Sequence, residues 1–220
     1  CEVLVANFLR EASNFVIEQG GYLDACNTEG VRALFGLPVG DDKHALNACK
    51  AALALEKHLT EVAARGARKL VFGIGMCTGS VSTGMYDFGG TVQYSAVGEP
   101  IDFSRRLSSL NYVYGSHVLF SARTYHVVKD QVEARPMEMI SAPRMQISEV
   151  YELMGEKGRL TEDQAKARDA FWQGVVSLRK GSYKEAVGNL KRAQMEGVDD
   201  APLKYFMDRA EAGVLDGLGE

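Results

Sequence analysis

The chain has 220 residues, of which 46% are hydrophobic and 25% charged, and its formal net charge is −4 at neutral pH. This composition is too apolar for a disordered protein and predicts a real core. The lysines and arginines are scattered, so they form no concentrated basic surface for nucleic acid or anionic lipid. The length predicts one α/β domain with a smaller unit attached.

The four cysteines, Cys1, Cys26, Cys49 and Cys77, lie far apart and form no CxxC pair. This spacing favours reduced thiols over a zinc site or a disulfide framework, and it predicts a cytoplasmic protein. No apolar run reaches the roughly 20 residues that cross a bilayer, and no cleavable signal precedes the first helix. Because the sequence opens without methionine, we expect a longer protein in which any membrane anchor or sensor domain lies outside these residues.

The first third of the chain predicts a helix, a hairpin and a second helix, from helical apolar spacing and from turn residues between two short apolar runs. In chain order these are a helix from Val3 to Ile17, strands at 22–24 and 31–35 around a turn at 27–30, and a helix ending near Ala64. The second helix is rich in alanine, and small residues on one face predict close packing on a sheet.

The middle of the chain mixes predicted strands with helices. In order these are strands at 70–77 and 80–83, a loop at 85–90, a strand at 92–97, a helix from Pro100 through Leu107, a strand at 118–121, a helix at 122–128, and a last strand at 150–153. Proline suits the first helical turn, where no amide proton is needed. The order predicts an α+β sandwich with helices on one face of the sheet.

From residue 155 onward the composition becomes that of amphipathic helices, so we divide the chain into units 1–154 and 155–220. Thr161 to Gln164 form a capping box that opens the first of three helices. The spacing of Trp172, Gly181, Tyr183 and later alanines resembles one tetratricopeptide unit followed by a capping helix. A single unit cannot bury its own apolar face, so we expect it to dock on the main domain or on a partner chain.

Three stretches together resemble the class III adenylyl and guanylyl cyclases. They are GGYLDACNTEGVRALFGLP at 20–38, GIGMCTG at 73–79 and QYSAVGEPIDFSRRL at 93–107. The resemblance covers about residues 1 to 153, and the tail resembles the extension often found behind bacterial cyclase domains. It implies a ferredoxin-like sandwich with an antiparallel-rich sheet, working as a head-to-tail homodimer or heterodimer with another cyclase-type domain. ATP or GTP would bind between the subunits, beside two Mg²⁺ or Mn²⁺ ions held by two aspartates.

The resemblance places the metal and base positions at altered residues. The first metal aspartate belongs on a strand before Val3, and no such strand occurs in this sequence. The second metal aspartate falls at Glu29. The extra methylene of glutamate displaces the carboxylate from the place that octahedral Mg²⁺ requires. The alternative interpretation of Glu29 is a solvated turn residue. The adenine-selecting lysine falls at Ala25, and its partner falls at Ser95, whose hydroxyl discriminates poorly between bases.

The remaining implied contacts concern ribose and phosphate. The ribose-orienting asparagine falls at Asp102, whose charge repels a triphosphate by about 3 kcal/mol at about 5 Å before screening. Arg106 preserves the transition-state arginine, with Arg105 beside it; the alternative for Arg106 is a surface arginine paired with a carboxylate. Arg144 is the stand-in for the phosphate-contacting lysine expected before the last strand.

Three hypotheses follow. The first is a catalytically impaired cyclase-like signalling domain that acts in dimerisation, regulation or nucleotide sensing. The second is an active class III cyclase that converts ATP or GTP into the 3′,5′-cyclic nucleotide and pyrophosphate. The third is a protein-binding groove in the helical tail, with the rest as scaffold; burial of Trp172 and Tyr183 against the main domain would argue against it.

Overall fold

The computed structural model describes residues 2–65, 71–87, 89–142 and 145–216. Its elements in chain order are α1 (Glu2–Glu18), β1 (Tyr22–Asn27), β2 (Gly30–Leu34), α2 (His44–Arg65), β3 (Ile74–Met76), β4 (Ser82–Asp87), β5 (Val92–Val97), α3 (Glu99–Tyr114), β6 (Val118–Ser121), α4 (Ala122–Val128), β7 (Val132–Ala142), β8 (Met145–Glu156), α5 (Glu162–Arg179), α6 (Tyr183–Ala193) and α7 (Ala201–Leu215). The predicted helices and the first hairpin are confirmed, and the α+β class is confirmed with them.

The central sheet has four strands in the order β3-β6-β8-β7. β3 runs parallel to β6, and the other neighbours are antiparallel. β1 with β2 and β4 with β5 form two separate antiparallel hairpins. β4 continues to Asp87, so the loop predicted at 85–90 is wrong over its first half, where the strand pairs with β5.

Helices cover both faces of the four-stranded sheet, which corrects the expectation of a single covered face. Neighbouring residues of β6 point to opposite sides: Leu119 belongs to the core under α3 and the tail, whereas Phe120 belongs to the core under α2 and α4. The alternation follows from the two-residue period of a strand. Cys49, in the second turn of α2, is fully buried in the second core, as the small residues of that helix predict.

The tail packs on the main domain through α5 and α7, and α6 packs on these two helices, so the tail docks on the main domain, the first of the two expected places. Phe171 and Phe206 from the tail are buried in one continuous core with Leu107 of α3 and Met137 of β7. The capping box at the start of α5 is present in both directions, between Thr161 and Gln164. We call the contact of β7 and β8 with α5, α7 and Asp200, the residue before α7, the tail joint. The boundary between 154 and 155 stays a prediction, and β8 runs past it to Glu156.

Trp172 packs on the main domain, with its ring centroid 5.9 Å from that of Tyr151 and 6.3 Å from that of Tyr125. Tyr183 instead packs within the tail, against α7 at Gly213. The Trp172 contact argues against a protein-binding groove built around this aromatic side chain. Among the described residues, none of the helices combines the length and the apolarity needed to cross a bilayer.

Candidate functional site

Glu29 lies at the tip of the β1–β2 hairpin and is exposed. The strands pair as far as Asn27 and Gly30, which leaves Thr28 and Glu29 as a two-residue turn. The Asn27 side-chain oxygen accepts a hydrogen bond from the Glu29 amide at 2.9 Å and fixes the turn. The Glu29 carboxylate is therefore exposed to solvent and accessible to a cation. This exposure is compatible with both interpretations of Glu29, a metal ligand and a solvated turn residue.

Asp24, in the same hairpin, is a buried acid that sequence reasoning missed. A β-bulge interrupts the register between Leu23 and Ala25 and takes Asp24 out of the regular ladder. Its side chain is fully buried, and Arg32 of β2 donates from Nε to Oδ2. The other carboxylate oxygen has no hydrogen-bond partner among the described residues. The charge of Asp24 is thus balanced by Arg32. The one sequence feature that could have indicated this buried acid is an aspartate inside an otherwise apolar strand.

The two predicted base-contacting positions lie on strands that run side by side. Tyr22 of β1 donates from its hydroxyl to the Tyr94 carbonyl of β5 at 2.8 Å, and Gln93 donates to the Asp24 carbonyl at 3.2 Å. Ala25 is half-buried, but Ser95 is only 1% exposed, and its hydroxyl has no partner among the described residues. Ser95 is therefore enclosed by the protein rather than open to a base.

Helix α3 carries Asp102, Arg105 and Arg106, all exposed. Arg106 donates from Nη1 to the Ser141 carbonyl of β7 at 2.7 Å. The alternative for Arg106 is a carboxylate partner; among the described residues, its hydrogen bond is instead to a backbone carbonyl at the far end of β7. Arg144 lies outside the described residues, so its predicted role has no structural account.

The glycines of the GIG stretch set the position of α3. A Cβ on Gly75 would lie 2.0 Å from the Ser104 carbonyl oxygen, and one on Gly73 would lie 2.4 Å from that of Ser108. Asn111 of α3 donates from its side-chain amide to the Ile74 carbonyl at 3.0 Å and joins the helix to β3. These glycines allow close backbone packing and are not arranged as a phosphate cradle.

A recess of about 260 Å³ opens beside the start of α3, between the ends of β3 and β6. Thr78 and Thr124 share a 3.0 Å hydroxyl contact there, and Ser121 lies 3.0 Å from Thr124. Burial raises the pKa of the Cys77 thiol at its wall, against the opposing effects of the Ser121 hydroxyl and Arg123. The thiol is therefore protonated at neutral pH and is a poor nucleophile.

No protein-family model matches the sequence. Over 148 residues, 65% of this chain, it is 30% identical to adenylate cyclase 1 of Rhizobium meliloti, covering 22% of that protein. Over 210 residues, 92% of this chain, it is 21% identical to the terminal-differentiation-specific adenylate cyclase of Dictyostelium discoideum, covering 10% of it. The chain thus spans about a fifth or a tenth of the length of these relatives.

The fold is similar to solved cyclase structures. The adenylyl cyclase CyaB from P. aeruginosa superposes with a TM-score of 0.62 at 24% identity, covering 73% of this chain and 85% of that one. The guanylyl cyclase Cya2 gives 0.57 at 24% identity, covering 72% and 83%. The chain contains a cyclase-like domain. The guanylate cyclase domain of RhGC from Catenaria anguillulae, solved with GTP, gives 0.58 at 17% identity, covering 69% and 82%.

A metal centre does not fit the acids that the structure describes in this cyclase-like domain. Across the described ranges, no three histidine, cysteine, aspartate or glutamate side chains converge where a metal ion could bind. Glu29 is the exposed acid of its hairpin, and Asp24 is paired with Arg32. Cys26, Cys49 and Cys77 are free.

Proposed function

We propose that the cyclase-like domain is a catalytically impaired signalling module that senses nucleotide or regulates a second cyclase-type domain with which it pairs. One observation carries the proposal. The β1–β2 hairpin has two acids, and Asp24 is consumed by a buried ion pair with Arg32, which leaves Glu29 alone in the exposed turn. Cyclisation on two metal ions needs at least two acidic side chains that converge, because each ion must be held against the triphosphate.

Mg²⁺ or Mn²⁺ would supply charge neutralisation on the triphosphate if the domain were active. The residues that the structure describes do not provide the ligands for it, so we derive no reaction step through a metal. A second carboxylate would have to come from a partner domain or from residues outside this chain. Loss of the base-selecting lysine at Ala25, and the charge of Asp102, further support weak and unselective nucleotide binding.

Two features support pairing with a second domain. The β4–β5 hairpin exposes three large apolar side chains, Met85, Val92 and Val97. Exposed apolar side chains that lie together are typical of a surface that binds a partner. Among similar structures, a guanylyl cyclase domain from Blastocladiella emersonii is described as a non-canonical dimer. We propose the same kind of partner here, a copy of this chain or another cyclase-type domain, with ATP or GTP as the nucleotide.

The second candidate function is active cyclisation of ATP or GTP. The exposed guanidinium of Arg106 favours it, because among the described residues this side chain has one hydrogen bond, to a backbone carbonyl, and its other donors are available to a nucleotide. Under this alternative, Glu29 acts with a carboxylate from elsewhere, and Arg106 stabilises the transition state as the resemblance implies.

The two candidates are separated by measuring cAMP and cGMP production with Mg²⁺ and with Mn²⁺, on this chain and on a longer version of the protein. Calorimetric titration with ATP and GTP measures binding in parallel. For the impaired module we expect nucleotide binding without cyclic product. The matched variants are Arg106→Ala and Arg105→Ala, which remove neighbouring exposed arginines from one helix. Turnover that Arg106→Ala abolishes and Arg105→Ala preserves would reject impairment in favour of the active enzyme.

A further inference from the structure

The recess of about 260 Å³ beside the start of α3 has walls that are fixed by two contacts. Gly79 lies so close to Pro100 that a Cβ on the glycine would be 2.4 Å from the proline ring. The Thr124 hydroxyl of α4 accepts a hydrogen bond from the Thr78 amide at 3.0 Å. The starts of α3 and α4 are therefore both held against the segment that follows β3, and both line the recess.

Glu99 and Arg123 are the charged residues among the described residues that line this recess. Glu99 is the first residue of α3 and Arg123 the second of α4, and both are exposed. Within the described ranges, neither side chain makes a hydrogen bond or an ion pair, with the other or with any further residue. Burial raises the pKa of the Cys77 thiol at the wall, and the charge of Arg123 lowers it while that of Glu99 raises it. One positive and one negative group, not paired with each other, thus act on the same recess.

The rest of the lining is rich in hydroxyl groups that a ligand can reach. Ser80 is exposed, and Thr78 and Ser148 are half-buried. A lone anion in the recess would be attracted by Arg123 and repelled by Glu99, and a lone cation would meet the opposite pair of forces. A zwitterion can pair with both charges, because its own charges have the same magnitudes and the opposite signs. The lining therefore favours a small ligand that carries both charges.

We propose that this recess binds a small zwitterion, an α-amino acid with a short polar side chain. Its carboxylate accepts hydrogen bonds from the Arg123 guanidinium, and its ammonium group donates to the Glu99 carboxylate. Its side chain lies among the hydroxyl groups of the lining, where a polar group finds partners. The bound ligand connects the starts of α3 and α4. The proposal does not depend on whether the domain cyclises nucleotide.

The test is calorimetric titration of the whole chain with L-serine, compared with 3-hydroxypropanoate and with ethanolamine. The first comparator keeps the carboxylate and the hydroxyl of L-serine without the ammonium group, and the second keeps the ammonium group and the hydroxyl without the carboxylate. We expect L-serine to saturate one site and to bind at least about fivefold more tightly than either comparator. Absence of saturation by L-serine up to about 10 mM, or equal binding of either comparator, overturns the proposal.

Two variants assign each ligand charge to its partner. Glu99→Gln should weaken L-serine binding at least about fivefold and remove its advantage over 3-hydroxypropanoate, while its advantage over ethanolamine stays. Arg123→Gln should do the reverse, because it removes the partner of the carboxylate. Simple damage to the recess would not separate the two comparators in this crossed way. Loss of both advantages in one variant, or of neither, overturns the proposal.

Matched controls and a blocking variant complete the test. Glu211→Gln on α7 and Lys129→Gln at the end of α4 remove the same charges from exposed positions away from the recess, and both should keep the parent affinity for L-serine. Equal losses in the controls would reduce the effect to net charge and overturn the proposal. Ser80→Trp fills the recess from an exposed position and leaves Glu99 and Arg123 in place. We expect it to abolish L-serine binding, and normal binding by this folded variant places the ligand elsewhere and overturns the proposal.

Discussion

The tail joint and the candidate nucleotide site use their charged side chains in opposite ways. The pairs that cross the joint are Arg135 with Asp200, Arg168 with Glu133, Arg179 with Glu149, and Arg209 with Glu138. At the candidate site Glu29, Asp102 and Arg105 are exposed, and the hydrogen bond of Arg106 within the described part of the chain is to a backbone carbonyl. At the tail joint the charged residues of this chain hold the structure together. At the candidate nucleotide site we expect that they can be replaced without loss of stability.

Arg135 is the centre of the tail joint. It is 7% exposed, donates to Asp200 at 2.6 and 2.9 Å and to Glu152, and stacks over the Phe171 ring at 4.3 Å. Complete burial raises the pKa of Glu152, and Arg135 opposes this shift only in part. Burial also acts to raise the pKa of Asp200, but this carboxylate is less enclosed, and the hydrogen bonds and charge of Arg135 lower it overall.

The largest effect is expected from Arg135→Met. It leaves two acids without their cation, so the free energy of unfolding should fall by about 3–5 kcal/mol in urea denaturation at pH 7. Arg10→Met, at an exposed helix position, is the control and should change it by less than about 0.5 kcal/mol. The Arg135→Met deficit should shrink as the pH falls through the range where Asp200 and Glu152 become protonated. Equal stability of the two variants would remove the distinction between the regions.

The second-largest effect on stability is expected where α3 packs on β3. Gly75→Ala places a methyl group 2.0 Å from the Ser104 carbonyl, so α3 must move. We expect a loss of about 2–3 kcal/mol in unfolding free energy. Gly84→Ala is the matched control, because its nearest neighbour is a Tyr86 ring atom at 3.8 Å. A Gly75→Ala variant as stable as Gly84→Ala would show that α3 is not held in close contact with the sheet.

The face of the sheet opposite the tail joint provides a pH test through Cys49. Burial raises the pKa of this thiol to about 12 in the folded chain, from an ordinary value of 9.0. The unfolded chain therefore loses this proton first, and stability is fully present below pH 9 and declines above it. Between pH 8 and 10 the parent should lose about 1.4 kcal/mol more than Cys49→Ala does.

The control for this slope is Cys26→Ala, which removes an exposed thiol and should keep the steep decline of the parent. Burial also raises the pKa of Tyr114 to about 12, so stability declines further as the pH rises, beginning nearer pH 10. This contribution is the same in the parent, in Cys49→Ala and in Cys26→Ala. Parallel curves for the parent and Cys49→Ala would contradict the assigned burial of Cys49.

The smallest effect on stability is expected at the candidate site. Asp102→Asn changes an exposed helix residue and should leave the unfolding free energy within about 0.5 kcal/mol of the parent. It removes a negative charge near the expected triphosphate, so ATP affinity should rise by a few fold at low salt and less at high salt. Asp208→Asn on α7 is the charge-matched control and should leave ATP binding unchanged. Equal gains in both variants would mean that only net charge matters.

The helices could be predicted because their apolar spacing and end signals are local. The capping box at Thr161 and Pro100 at the start of α3 marked two helix starts correctly. β7 could not be predicted in the same way. Its sequence, VEARPMEMISA, alternates apolar and charged residues with the two-residue period of a strand, but it contains a proline, which argues against a strand interior. Glu133 and Arg135 are nevertheless buried, because Arg168 and Asp200 reach them from helices far along the chain.

By itself, the sequence determined the α+β class and the order of the elements apart from β7, since these depend on local pattern; the positions at which the implied cyclase contacts are replaced stay a prediction. Tertiary structure alone decided that Asp24 is paired with Arg32, that Arg106 meets the Ser141 carbonyl, and that the tail closes one face of the sheet. The physical reason is that the cost of a charge depends on its burial and its partner, and both are set by groups distant in the chain.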